Sequence, residues 1–75
     1  MKKSFEESFL DMVLADTRKI FKDENSITKN YYNCYIYLNE IIDNVRDNAS
    51  LWLLTKLYIL SGHYQYRYLY HKGLL

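Results

Sequence analysis

Apolar residues return every three or four positions along most of this chain, which is the period of a helix buried on one side. Phe9, Leu10, Val13, Leu14, Thr17, Ile20 and Phe21 form one broad stripe flanked by Phe5 and Met12, while Asp11, Asp16, Arg18, Lys19 and Lys22 fall on the wet side. Ser4-Phe5-Glu6-Glu7 has capping-box spacing, so a first helix is predicted over 5–22. Asp23-Glu24-Asn25-Ser26 ends it, and Asn25 or Ser26 caps the next. Ile27, Tyr31, Cys34, Leu38, Ile41 and Val45 then step by four and three, with Tyr35 and Ile42 widening the stripe; Asn33, Asn39, Glu40, Asp43 and Asn44 lie away from it. That predicts a second helix over 27–46, antiparallel to the first.

The third segment behaves differently. After Asp47-Asn48-Ala49-Ser50, with Asn48 as the expected cap, a helix over 49–61 carries Leu53, Leu57 and Leu60 on one face and Leu54 and Tyr58 beside them. Trp52, Lys56, Ile59 and His63 mark the opposite face. A helix apolar on both sides needs covering on both sides. Two amphipathic neighbours cover one of them.

Gly62 is placed to terminate this helix, since glycine adopts the left-handed cap without penalty. Beyond it Tyr64, Tyr66, Tyr68 and Tyr70 alternate, which read by period is a strand. A lone strand beside three helices has nothing to pair with, so a short fourth helix over 63–72 is preferred. It sets Tyr64 and Tyr68 on one face and Tyr66 and Tyr70 on another. The expected fold is therefore all-α without a sheet: three to four helices in stacked antiparallel hairpins, one small domain over 1–75.

Composition narrows the function more than the fold. At 75 residues the core is small, and chains of this size commonly draw on staples or partners. Cys34 is the only cysteine, so no internal disulfide forms, and one Cys with two distant His is not a zinc pattern. Its expected role is core packing, in keeping with a reducing, intracellular setting. The basic Met1-Lys2-Lys3 start is followed by Glu6, Glu7, Asp11 and Asp16, which break any secretory signal. The apolar run Leu51–Leu60 contains Lys56 and is half the length of a bilayer span. Residues 1–47 carry a net charge of −2, whereas 48–75 hold Lys56, Arg67 and Lys72 and no acid.

The run L-x2-L-T-x2-Y-x3-G-x-Y, made by Leu51, Leu54, Thr55, Tyr58, Gly62 and Tyr64, resembles a tetratricopeptide repeat, a 34-residue helix–turn–helix. Leu74 falls at a small or apolar position of its second helix. Arg67 and His71 depart from the pattern, standing where alanine and an aromatic are usual. Tyr31, Cys34, Leu38 and Ile41 repeat the second-helix spacing 33 residues earlier. The wording of residues 51–64 is similar to early repeats of the anaphase-promoting complex's scaffold subunits. The resemblance implies a non-enzymatic scaffold that docks protein or self-associates, with Ala49, Trp52, Lys56, Ile59 and Leu60 on a concave face and His63 at its end.

A groove with Trp52 and Lys56 suits a peptide offering an apolar anchor and a carboxylate. The competing expectation is that Trp52 and Ile59 pack on the first helix. Tyr66, Arg67, Tyr70 and Lys72 form a second, aromatic and basic surface. Together with Tyr64, Tyr68, His63 and His71 it offers an alternative, a nucleic-acid surface, although three cations give weak counterion-driven binding. No phosphate loop, nucleophile signature or positioned acid–base pair is present, so neither catalysis nor a cofactor is expected.

Overall fold

A computed structural model describes residues 4–75; the basic start at residues 1–3 lies outside the described residues. Three helices account for it: α1 (Phe5–Phe21), α2 (Ile27–Val45) and α3 (Leu51–Lys72). Each begins on a serine in extended conformation. Ser4, Ser26 and Ser50 accept hydrogen bonds from the amides of Glu7, Lys29 and Leu53, satisfying donors that the first turn leaves free. The third cap is therefore Ser50, not Asn48. Its extended backbone lets its hydroxyl reach the third amide, whereas Asn48 lies in the turn that closes α2. No strand occurs among the described residues.

The helices run up, down and up, with α2 in the middle. Phe21, Thr17 and Asp16 of α1 meet Tyr31, Cys34 and Tyr37 of α2 in reverse order, so those two are antiparallel. Tyr32 and Asn39 of α2 face Tyr68 and Ser61 of α3, again in reverse. The α2–α3 contact is the most extensive, and α1 touches α3 least. The result is two antiparallel hairpins sharing α2, as the all-α expectation required.

Val13, Leu38, Ile42, Leu53 and Leu57 form the buried core, with Phe9, Leu10, Tyr37, Ile41, Val45, Ala49, Leu60 and Tyr64 packed around it. On α2 the fully covered positions are Asn30, Cys34, Leu38 and Ile42, a row stepping by four. Ile27, expected at the head of that stripe, is exposed. Asn30 is buried because its amide does structural work: Oδ1 accepts from the Glu24 amide at 3.0 Å and Nδ2 donates to the Glu24 carbonyl at 2.9 Å. That pair pins the α1–α2 turn.

The break expected at Gly62 is absent. α3 continues for 22 residues, about 33 Å, through Gly62 and ends at Gly73 with φ 81. Glycine in a helix interior costs about 1 kcal/mol relative to alanine. Here Tyr64 and Tyr68, on the far side of Gly62, pack against Tyr31 and Tyr32, and that burial outweighs the local preference. The helix stops only where α2 itself begins. Residues 63–72 are thus helical, but as the second half of α3 rather than a separate helix. The helix–turn–helix that the repeat pattern called for over 51–74 is not formed. Among the described residues no helix is long and apolar enough to cross a membrane.

Candidate interaction face on the third helix

Successive residues of a helix turn by about 100°, so positions seven apart nearly superimpose. Leu53, Leu57 and Ser61, with Tyr64 and Tyr68, make the inner line of α3. Trp52, Ile59 and Tyr66, with Tyr70, make a line on the outside. Their exposures are 44%, 62%, 58% and 58%, so this second line is open to solvent over the length of the helix. Lys56 and His63 complete it, and both are exposed. All of the residues expected to contact a partner, Trp52, Lys56, Ile59 and His63, stand on that one face.

The fold separates other residues that sequence grouped with them. Ala49 and Leu60 are partly buried and pack against the core instead of standing on the outer line. Trp52 lies over the start of α1, beside Ser4, Glu6 and Glu7, and keeps nearly half its surface free. Ile59 has no such cover, so packing on the first helix does not account for it.

The tyrosines divide as the helical reading required. Tyr64 and Tyr68 turn inward, while Tyr66 and Tyr70 turn outward. Tyr31 is the hub of the inner group, with Phe21 at 4.9 Å, Tyr64 at 6.2 Å and His71 stacked at 5.2 Å between ring centroids. Tyr32 meets Tyr68 at 5.1 Å, and Lys72 sits over the Tyr68 ring at 5.6 Å. Of the second expected surface, Tyr66, Arg67 and Tyr70 are exposed; Lys72 is exposed too but spends its charge on Tyr68. Half of the supposed stacking platform is committed to holding α3 on α2.

At the opposite end, Glu6 ties the start of α1 to the start of α3. One carboxylate oxygen accepts from the Ser50 amide at 2.8 Å and the other from the Ser50 hydroxyl. These hydrogen bonds, the hydroxyl's first, hold the Glu6 carboxyl below its usual range. Next to them an apolar cleft of about 230 Å³ is lined by Phe5, Phe9, Val45, Ala49 and Leu53. The capping-box spacing marked Glu6's neighbourhood, but its contact lies 44 residues away and had no local signal.

Among the described residues, the buried side-chain polar atoms all have a hydrogen-bond partner. The Ser61 hydroxyl donates to Asn39 Oδ1 at 2.8 Å and crosses from α3 to α2. Tyr37 donates to Asp16 Oδ2 at 2.7 Å; burial, with help from that carboxylate, pushes the phenol well above its ordinary pKa. The Cys34 thiol donates to the Thr17 carbonyl at 3.3 Å, and burial pushes it up to about 11. A thiol so placed is a packing group, not a nucleophile. Among the described residues no three His, Cys, Asp or Glu gather closely enough to hold a metal ion. Comparison of the chain with protein families, with curated proteins and with solved structures gives no match.

Proposed function

We propose that this chain is a non-enzymatic protein–protein interaction module whose docking surface is the outer face of α3. The supporting observation is the continuous exposed line of Trp52, Ile59, Tyr66 and Tyr70 on a helix whose other side already forms the core. Aromatic side chains with an aliphatic one between them are the usual anchors of an interface. Lys56 and Arg67 edge the line and favour partner groups that carry electron-rich rings or carboxylates. The antiparallel hairpins act as a rigid mount for it. The tetratricopeptide-like wording of 51–64 is carried by a continuous helix, so the reading rests on the face and not on a repeated unit.

Histidine chemistry has no part in this reading, since His71 stacks on Tyr31 and His63 lies edge-on to Tyr64. Nucleic-acid stacking is the weaker alternative because Tyr64, Tyr68 and Lys72 are engaged within the fold.

Site-specific photo-cross-linking tests the proposal. A benzophenone amino acid placed at Ile59 in the cells that make the chain should give discrete protein adducts, and one at exposed Glu40 of α2 should not. Adducts from both positions, or from neither, would overturn it.

A further inference from the structure

α3 is held differently on the two sides of Gly62. Before it, Leu53, Leu57 and Ser61 are buried, the two leucines belong to the core, and the Ser61 hydroxyl is fixed to Asn39 at 2.8 Å. After it, among the described residues, none is buried: Tyr64, Tyr68 and Leu69 are half-buried and the rest are exposed. The ring contacts of this second half with the rest of the chain fall on two residues of α2. Tyr64 and His71 lie on Tyr31, and Tyr68 lies on Tyr32. Of these, Tyr64 also packs against the edge of the core. We propose that residues 62–74 form a strap that releases α2 as one unit while residues 5–61 keep their fold. The inference stands on how α3 is packed and does not depend on what docks on its outer face.

Gly62 places the hinge. It is exposed, a Cβ built on it meets nothing within 4 Å, and its φ is not in the left-handed region. Neither packing nor backbone conformation within the chain therefore requires glycine there. Its consequence is energetic, since glycine has more conformational freedom to lose in a helix than alanine has. This weak link directly follows Ser61, the last buried residue of α3. The helix is least cohesive at the point where its core support ends.

Two features make the release collective instead of a gradual fraying from the end. Tyr31 holds both Tyr64 and His71, about two turns apart on α3, and the Tyr68–Tyr32 contact lies between them. When one of these rings leaves, its neighbours lose part of their support. The end of the helix is also closed. Gly73, at φ 81, donates to the Tyr70 carbonyl at 3.1 Å, and the Leu74 amide donates to the Leu69 carbonyl at 3.0 Å. The cap ties the last turn to the residues that carry the rings, so that turn does not loosen ahead of them.

The closed strap is the ground state. Its release bares the faces of Tyr31 and Tyr32 that Tyr64, Tyr68 and His71 cover, so the open state offers aromatic rings on α2 that the closed state keeps for itself. Release also divides the outer line of α3, leaving Trp52 and Ile59 before the hinge and Tyr66 and Tyr70 beyond it. A partner that spans the whole line closes the strap, and one that takes the rings of α2 opens it. Each acts by its difference in affinity for the two states.

Hydrogen exchange of the full chain, followed amide by amide as urea is raised below the unfolding transition, is the experiment. Amides of residues 66–72 should share one protection factor, at least about tenfold below that of residues 55–61. Their exchange should also depend less steeply on urea, because opening the strap exposes less surface than global unfolding. Gly62→Ala, which the open space around the glycine accepts, should slow that exchange by about fivefold. Trypsin gives a second reading. In native buffer it should cut after Arg67 sooner than after Lys56, although both are exposed on α3, and Gly62→Ala should delay the first cut. Equal protection on the two sides of Gly62 overturns the inference, as does cleavage after Lys56 as fast as after Arg67. Protection that falls steadily from residue 66 to residue 72 overturns it too, since that is fraying and not the release of a unit.

Discussion

α2 and α3 are similar in length and both are rich in apolar residues, yet they spend them differently. α2 gathers its covered residues, Asn30, Cys34, Leu38 and Ile42, on one line between its two neighbours. α3 has an inner line of Leu53, Leu57 and Ser61 and an outer one of Trp52, Ile59 and Tyr66. Two helices can clothe the first arrangement, and the same two cannot clothe the second. The lesson is that unburied apolar periodicity is a better sign of an interface than apolar content. Scattered exposed residues such as Ile27 or Met12 carry no such message.

The comparison breaks most sharply at the inner line. Leu57→Ala should cost about 2–5 kcal/mol in urea unfolding, because the side chain is fully buried and leaves a cavity. If Leu57→Ala cost no more than Ile59→Ala, the two faces of α3 would not differ as described. Asn30→Ala comes next, at about 1–3 kcal/mol, since it strands both backbone groups of Glu24 that its amide now satisfies. A variant that melted with the parent would show that the α1–α2 turn holds without it.

Smaller effects sharpen the picture. The lowered carboxyl of Glu6 gives stability that is present above the ordinary carboxylate pKa and lost as pH falls through the lowered value. Thermal melts of Glu6→Gln and parent should therefore differ near neutrality and converge in acid; a constant gap would mean that Ser50 does not govern Glu6. The Cys34 thiol, at about 11, should resist a thiol reagent at pH 8 until the chain unfolds, so that labelling follows global opening. Least of all, Ile59→Ala in dilute solution should shift stability within about 0.5 kcal/mol, as exposed substitutions do. A larger loss in equilibrium unfolding would place Ile59 in the core.

Much of the candidate face was legible because helical period alone puts Trp52, Lys56 and Ile59 on one side; His63 joins them because α3 runs on through Gly62. The same arithmetic put Tyr66 and Tyr70 on one face and Tyr64 and Tyr68 on another, and packing on α2 decided that the second pair faces inward. What period could not reveal is contact between distant segments. Ser50 finding Glu6, Ser61 finding Asn39, and Tyr37 finding Asp16 depend on which helices become neighbours. Asn30 had a partial signal, lying four residues before Cys34 on the line later found buried, but its polarity argued for the surface.

The sequence by itself determined three helical stretches, the serine cap at Ser4 and the two-sided character of residues 51–60, since these follow from spacing and local hydrogen bonding; it left the second cap between Asn25 and Ser26, and the structure selects Ser26. Only the tertiary structure decided that α3 runs unbroken through Gly62 to Gly73. Glycine's local preference is worth about 1 kcal/mol, and the rings of Tyr64, Tyr68 and His71 laid on Tyr31 and Tyr32 of α2 outweigh it. A helix ends where its neighbour stops supporting it. Here that point is the beginning of α2.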